Sequence, residues 1–367
     1  MRTWNSRCRG TVVCGLLIIG TPSLVGAQAP SSGTPAQATS APSLGSLHGF
    51  ADVGAGVSSG DGGSGFTNGS VDFYLTPQLS TRVRSLIELV FEYDADGALM
   101  VDLERLQVGY VAGDGVTVWL GRFHTPIGFW NTAYHHGTQI QTSATRPRFI
   151  DFEDAGGILP VHTVGTLITG SRRVGAGRVF YDLFAGNAPR ILGGTLDPQN
   201  VAGPDNAFGG GFNVAYRLGS TDAWPRVGVH AYRASSDQGD DPTARPAGFF
   251  GAYVSRESET WEVVAEYYRF VDASRAPDAG PRSWAGFVQV ATHLNDWAPY
   301  LRIERLSVNE SDTFLIRQTS GRSYRRALVG LRVELGPAAA LKVELSRDRS
   351  DGTSGETGAI LQWAIRF

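Results

Sequence analysis

From Leu47 to the last residue, apolar and polar side chains alternate with a period of two, and clusters of Gly, Pro, Asp, Asn and Ser interrupt the pattern at intervals. Period two sends successive side chains to opposite faces of an extended strand, so the pattern selects sheet over helix. Val71, Phe73 and Leu75 oppose Ser70, Asp72 and Tyr74, while Val83, Ser85, Ile87, Leu89, Phe91 and Tyr93 oppose Arg82, Arg84, Glu88 and Glu92. The same rule separates Trp261, Val263, Ala265 and Tyr267 from Glu262 and Glu266, and Leu301 and Ile303 from Arg302 and Glu304. It holds for Leu341, Val343 and Leu345 against Lys342 and Glu344, and for Leu361, Trp363, Ile365 and Phe367 against Gln362 and Arg366. One face is apolar and the other charged. Between Met100 and Tyr110 the phase changes, which predicts a β-bulge near Glu104 and Arg105.

A soluble β-sandwich also alternates. Segment count and connection length separate the two folds. Sixteen candidate strands begin near Leu47, Thr67, Thr81, Leu99, Val116, Val161, Val174, Phe208, Arg226, Gly248, Thr260, Trp284, Ala298, Ser323, Ala340 and Thr357. Tight turns such as Pro77-Gln78, Gly113-Asp114, Arg172-Arg173, Leu294-Asn295-Asp296 and Gly336-Pro337 alternate with long connections, Asp94 to Gly97 being the one short exception. That alternation predicts an all-β, 16-stranded antiparallel transmembrane β-barrel with short periplasmic turns and long external loops. Trp119, Trp224, Tyr253, Trp261, Trp284, Trp297, Tyr300, Tyr324 and Trp363 are the aromatics expected to form its two interfacial girdles.

The N-terminus agrees with export. Arg2, Arg7 and Arg9 precede the apolar run from Thr11 to Gly20, and small residues follow, so residues 1–27 read as a signal peptide. Residues 28–46, mostly Ala, Pro, Ser, Thr and Gly, read as a flexible periplasmic tail, and residues 47–367 as the barrel. The expected location is the bacterial outer membrane. Cys8 and Cys14 both lie inside the signal, so neither a disulfide framework nor a thiolate metal site is expected in the exported chain. The formal charge of −3 becomes −6 once the three signal arginines are removed, which argues against a nucleic-acid partner.

Barrels of ~16 to 18 strands leave an aqueous channel, whereas smaller ones are filled by side chains. Arg82, Arg84, Arg217, Arg302, Arg325, Lys342 and Arg366, with Glu88, Glu92, Asp102, Glu104, Glu262, Glu266, Glu304 and Glu344, form the expected inward set. Such a lining suits small hydrophilic solutes and, with both signs present, does not fix anion or cation preference. The longest connection runs from His124 to Pro160. Its Ile127, Phe129, Trp130, Tyr134, Ile140, Phe149, Ile150 and Phe152 make it too apolar to lie in water, so it is expected to fold into or across the mouth. His124, His135, His136, Arg146, Arg148, Asp151, Glu153 and Asp154 are its candidate constriction residues.

Gly121 to Pro126 (GRFHTP), Trp130 to Gly137 (WNTAYHHG) and Arg146 to Gly157 (RPRFIDFEDAGG) resemble the corresponding stretch of Gram-negative porins related to the phosphate-selective porin O and P family. The likeness is concentrated between Val101 and Gly170. It implies a 16-stranded channel, often trimeric, through which small solutes diffuse. The chain-terminal Phe367 resembles the ending that outer-membrane proteins present to the barrel-assembly machinery. Phosphate selectivity is not implied, since Lys342 is the single lysine and acids match the inward arginines.

Other chemistries are weakly encoded. Adjacent histidines on an extended segment point apart and no HxxxH or HExxH spacing occurs, so neither a metal nor another cofactor is expected at His135 and His136. The glycine-rich Gly60 to Gly65 lacks the lysine of a phosphate-binding loop. A barrel-borne hydrolase using His124, His135, His136 and Asp151, or a closed structural or adhesin barrel, are the alternatives to a non-enzymatic channel.

Overall fold

A computed structural model describes residues 45–60, 64–93, 97–113, 115–135, 137–151, 158–187, 191–192, 195–196, 208–234, 247–272, 282–312, 315–316, 319 and 322–367. Residues 1–44, which cover the expected signal peptide and most of the expected tail, lie outside these. So do His136, Glu153 and Asp154.

Sixteen strands close into one antiparallel barrel. They are β1 (Leu47–Ser58), β2 (Gly65–Leu75), β3 (Val83–Tyr93), β4 (Leu99–Gly113), β5 (Val116–His124), β6 (His162–Val174), β7 (Gly177–Asn187), β10 (Phe208–Arg217), β11 (Arg226–Ala234), β12 (Ala247–Glu257), β13 (Trp261–Asp272), β14 (Trp284–Thr292), β15 (Trp297–Ser307), β16 (Tyr324–Glu334), β17 (Ala339–Ser350) and β18 (Glu356–Arg366). The two-residue strands β8 (Ile191–Leu192) and β9 (Thr195–Leu196) pair with each other outside the barrel. Each barrel strand starts within a few residues of its expected position.

Closure is made by β18 on β1, from Phe50 opposite Arg366 to Ser58 opposite Gly358. Phe367 completes it. Its backbone exchanges two hydrogen bonds with Gly49, at 2.8 and 3.0 Å, and its ring stands edge-on to Phe73. The row running up from it is exposed, and so are Val108, Leu120, Val229, Ile303, Val329 and Leu345 on other strands. A continuous apolar outer wall of this kind is stable against lipid and would aggregate in water. No helix among the described residues is long and apolar enough to cross a membrane.

The expected bulge is present. Glu88 pairs with Arg105 and Leu89 with Leu103, leaving Glu104 as the extra residue. Three local expectations need correction. Arg172 and Arg173 are paired strand residues of β6, and the turn falls at Gly175-Ala176, where Gly175 takes the left-handed φ of 56°. Arg325 lies on the exposed outer face with Val329, and its neighbour Arg326 points inward to Glu304, Glu344 and Asp348. Two consecutive arginines carry no parity information; burial of Tyr324 and Leu328 sets the phase. Of the expected girdle, Trp224, Trp261, Trp297 and Trp363 are exposed, while Tyr253, Tyr300 and Tyr324 are buried inside and Trp119 packs against the interior cluster. The inward tyrosines carry hydroxyls that have polar partners there, which bare aromatic counting does not register.

Candidate functional site

The connection between β5 and β6 folds back into the barrel. Its neck is tied by Thr125 N–H to Val161 O at 2.8 Å and by a 2.8 Å bond between the Thr125 and Thr163 hydroxyls. Gly128, at φ 68°, then turns the chain into the short helix α1 (Trp130–Ala133), and a single 3-10 turn follows at Arg148–Ile150. Ile127, Phe129, Trp130, Tyr134, Phe149 and Ile150 are all buried, in one cluster with Tyr253, Val264, Tyr268 and Phe287 of the wall. Trp130 meets Phe287 edge-on at 5.6 Å, and Phe149 meets Tyr268 at 5.3 Å. Each such side chain contributes about 1.5–3 kcal/mol by burial, which is why so apolar a segment enters the barrel. Ile140 stays partly exposed, and Phe152 lies outside the described residues.

Charged wall residues hold the loop's backbone. Glu266 Oε1 accepts the Trp130 N–H at 2.5 Å, Glu304 Oε2 accepts that of Arg148 at 2.7 Å, and Glu344 Oε2 accepts those of Ala144 and Thr145 at 3.2 and 3.3 Å. Glu262 accepts from the Thr142 hydroxyl, and Glu257 from the Tyr134 hydroxyl. The cations serve the loop's carbonyls. Arg302 donates to Thr145 O at 2.7 Å and Arg146 O at 2.9 Å, Arg332 to Gln141 O at 2.8 Å, and Lys342 Nζ to Ser143 O at 3.0 Å. Asn213 Nδ2 donates to Gly128 O at 3.0 Å. Burial first, then the Glu262 and Glu257 carboxylates, keep the Tyr134 phenol protonated well above its ordinary range.

The expected lining residues therefore divide. Glu262, Glu266, Arg302, Glu304, Lys342 and Glu344 are buried under the loop and act as its anchors. Glu88 binds Arg105, Asp102 lies 3.9 Å from Arg122, and Glu92 is half-buried on β3. Arg82, Arg84, Arg217 and Arg366 sit at the short-turn end. Arg82 there donates to the Tyr110 hydroxyl, Arg217 pairs with Asp222, and Arg366 donates to Pro337 O at 2.8 Å. On the loop, Arg146 faces Asp151 at 3.8 Å, and Arg148 stands over the Tyr324 ring with Asp348 4.0 Å away. Arg148 is the most exposed of these three described loop charges, with 48% of its side chain accessible against 21% for Arg146 and 30% for Asp151.

His124 and His135 stack at a 3.5 Å centroid separation, and His162 joins them with ring centroids 5.4 and 5.3 Å away. Glu104, the bulge residue, completes the group, and one ligand-capable atom from each of the four lies within 4.8 Å of the others. Asp151 has its contact with Arg146 instead. His162 escaped the sequence reading, although the paired His-Thr dipeptides at 124–125 and 162–163, flanking one loop, signal it: His124 and His162 are register partners. Arg332, Glu257 and Asn213 were also missed, since nothing local marks them as loop anchors.

No family model matches the chain. Among solved structures, it is similar to the Salmonella typhi OmpF in complex with daunomycin, at 12% identity and a TM-score of 0.58 over 88% of this chain and 97% of that one. The anion-selective porin from Comamonas acidovorans aligns at 13% identity and 0.57 over 88% and 99%. The in-vitro folded trimer form of OmpT, an outer membrane protein of Vibrio cholerae, aligns at 9% and 0.55 over 89% and 100%. The fold is that of the porins. At such identities the likeness concerns architecture, and the loop contacts described above stand on this chain's own residues.

Gly128 gives a sharp test of the seated loop. A Cβ at that position meets the Glu266 carboxylate and the Tyr268 hydroxyl, both held by their own hydrogen bonds, and φ 68° disfavours any L side chain. Gly128→Ala is expected to unseat the first turn of the loop and expose Trp130. Trp fluorescence shifting to longer wavelength in a correctly folded barrel is the readout; an unchanged spectrum contradicts the seating.

Proposed function

We propose that the chain is a non-enzymatic outer-membrane porin in which small hydrophilic solutes diffuse passively past the inward-folded loop, with a preference for small anions, phosphate among them. The observation that carries this reading is the loop itself, anchored across the interior of a closed 16-stranded barrel with Arg148 on its accessible side. The wall acids Glu262, Glu266, Glu304 and Glu344 are consumed as acceptors for the loop, whereas the Arg148 guanidinium keeps much of its surface. An accessible arginine in a narrow, low-dielectric passage attracts anions more strongly than in open water. A homotrimer is the proposed assembly, supported by the trimer form of the Vibrio protein.

Planar-bilayer recording tests the reading. Reversal potentials in a potassium chloride gradient are expected to show chloride passing more readily than potassium, and Arg148→Glu to reduce or invert that ratio. A chain that inserts but does not conduct overturns the porin reading, while conduction unaltered by Arg148→Glu overturns the role given to that residue.

Asp151 adds a pH dependence. Burial raises its carboxyl to about 6, with Arg146 opposing the rise. The carboxylate is charged above that value and neutral below it. Acidification from pH 7.5 to 5 is therefore expected to strengthen anion preference, and Asp151→Asn to hold the acidic value across the range. A pH response that persists in Asp151→Asn removes this residue as its source.

A further inference from the structure

The geometry points to a divalent transition-metal site, of the zinc type, built from Glu104, His124, His135 and His162 where the loop leaves the wall. The four residues come from separate segments: the bulge in β4, the last residue of β5, the turn after α1 and the first residue of β6. Glu104 and His162 are fully buried, His135 nearly so, and the His124 side chain is 10% exposed. His162 Nε2 lies 2.5 Å and His124 Nε2 3.9 Å from Glu104 Oε2.

Three imidazoles and one carboxylate suit zinc, nickel or copper, whereas magnesium and calcium call for oxygen ligands. Ligands of a tetrahedral zinc ion with bonds of ~2.0–2.1 Å stand about 3.3 Å apart. Here one atom from each residue lies within 4.8 Å of the other three, so for the set to close on an ion the widest spacing must shorten by up to about 1.5 Å and the 2.5 Å between Glu104 and His162 must lengthen by about 0.8 Å.

The surroundings prepare His135 for this role. Asn131 Nδ2 donates to Thr125 O at 2.7 Å, and because a carbonyl only accepts, the amide orientation is fixed and Asn131 Oδ1 faces His135 Nδ1 at 2.8 Å. Nδ1 must then carry the proton, which leaves the lone pair on Nε2. A ligating histidine held through its other nitrogen by an amide or carbonyl oxygen is the usual outer arrangement of a metal site. Glu88 Oε2, 3.4 Å from His124 Nε2, adds negative charge beside the group, and Arg105 Nε pairs with the same oxygen and balances it.

Three donors belong to the wall and one to the loop, so a bound ion would pin the root of the loop. With four protein ligands it is a closed, structural site, independent of whether the barrel conducts.

The test uses the full folded chain in detergent, stripped with a chelator and dialysed against zinc, with cobalt as a spectroscopic probe. One saturable zinc ion per chain is expected, with tetrahedral cobalt absorption bands and a higher midpoint for thermal loss of β-sheet circular dichroism. His162→Ala and His135→Gln are each expected to weaken uptake by at least 100-fold, and Asn131→Ala by about tenfold. His135 lies on the loop and contributes nothing to strand pairing, so His135→Gln remains informative where the buried His162→Ala fails to fold. Absence of saturable uptake, or uptake equal in wild type and His135→Gln, overturns the site. Dialysis does not read conductance, so this result and the bilayer result fail separately.

Discussion

Replacing Arg302 by alanine is expected to release the loop while leaving the barrel closed. Arg302 is completely buried, and its guanidinium serves six acceptors: Glu304, Ser143, Gln289, Thr145 through both its carbonyl and its hydroxyl, and Arg146 O. It also lies 5.6 Å from the Trp130 ring centre. Removing one partner of a buried ion pair costs about 3–5 kcal/mol, since the remaining charge keeps its desolvation penalty. Glu304 would retain Arg148 N–H and Arg326, so the loss falls mainly on the loop carbonyls and on the seating of Trp130. The pairing of β15 with β14 and β16 runs through backbone groups and does not need the side chain. Bilayer currents should become larger and noisier, and the thermal midpoint should fall. Arg302→Lys keeps the charge but has a single donor head that cannot span the same acceptors, so an intermediate effect is expected. Traces identical to wild type would mean that the loop is held by other contacts.

The wall was legible in the sequence because alternation is a local property. A run such as Leu341 to Leu345 states its parity without reference to any other strand, and the phase slip at Glu104 and Arg105 reported the bulge before its partner was known. Parity failed where the local signal was degenerate. Arg325 and Arg326 are identical side chains in consecutive positions, and a tyrosine serves equally well outside at the interface or inside against a wall carboxylate.

The site was legible only as far as the loop's own composition. Its apolar residues predicted that it would leave water, and the structure gives them a buried cluster. What the sequence did not show is which wall charges the loop would cover. Glu344 and Lys342 lie about two hundred residues from their partners Thr145 and Ser143, and nothing in either segment names the other. The histidine group is legible for a related reason only in retrospect. Spacing rules for metal ligands describe one helix or one hairpin, whereas here antiparallel register brings His162 to His124, a bulge brings Glu104, and the loop's first turn brings His135.

Excising residues 128–158 and bridging the ends with a short Gly/Ser segment should raise single-channel conductance severalfold. The prediction rests on where the loop's contacts lie. Apart from Asn213 on β10, they run along β12 to β17, where Glu257, Glu262, Glu266, Arg302, Glu304, Arg332, Lys342 and Glu344 all bind it. Without the loop these groups regain hydration in a wider lumen, and a charged wall in water carries no burial penalty. Strand pairing survives, because β5 meets β6 from Val116 opposite Gly170 up to His124 opposite His162, below the excised segment. Detergent-solubilised protein should therefore keep its β-sheet spectrum, with some loss of thermal stability from the missing apolar cluster. An adhesin would behave differently: its conductance would stay as it was while binding to a surface disappeared. A variant that folds, inserts and conducts no better than wild type would show that the wall's own side chains set the narrowest point, and that the loop fills the barrel without gating it.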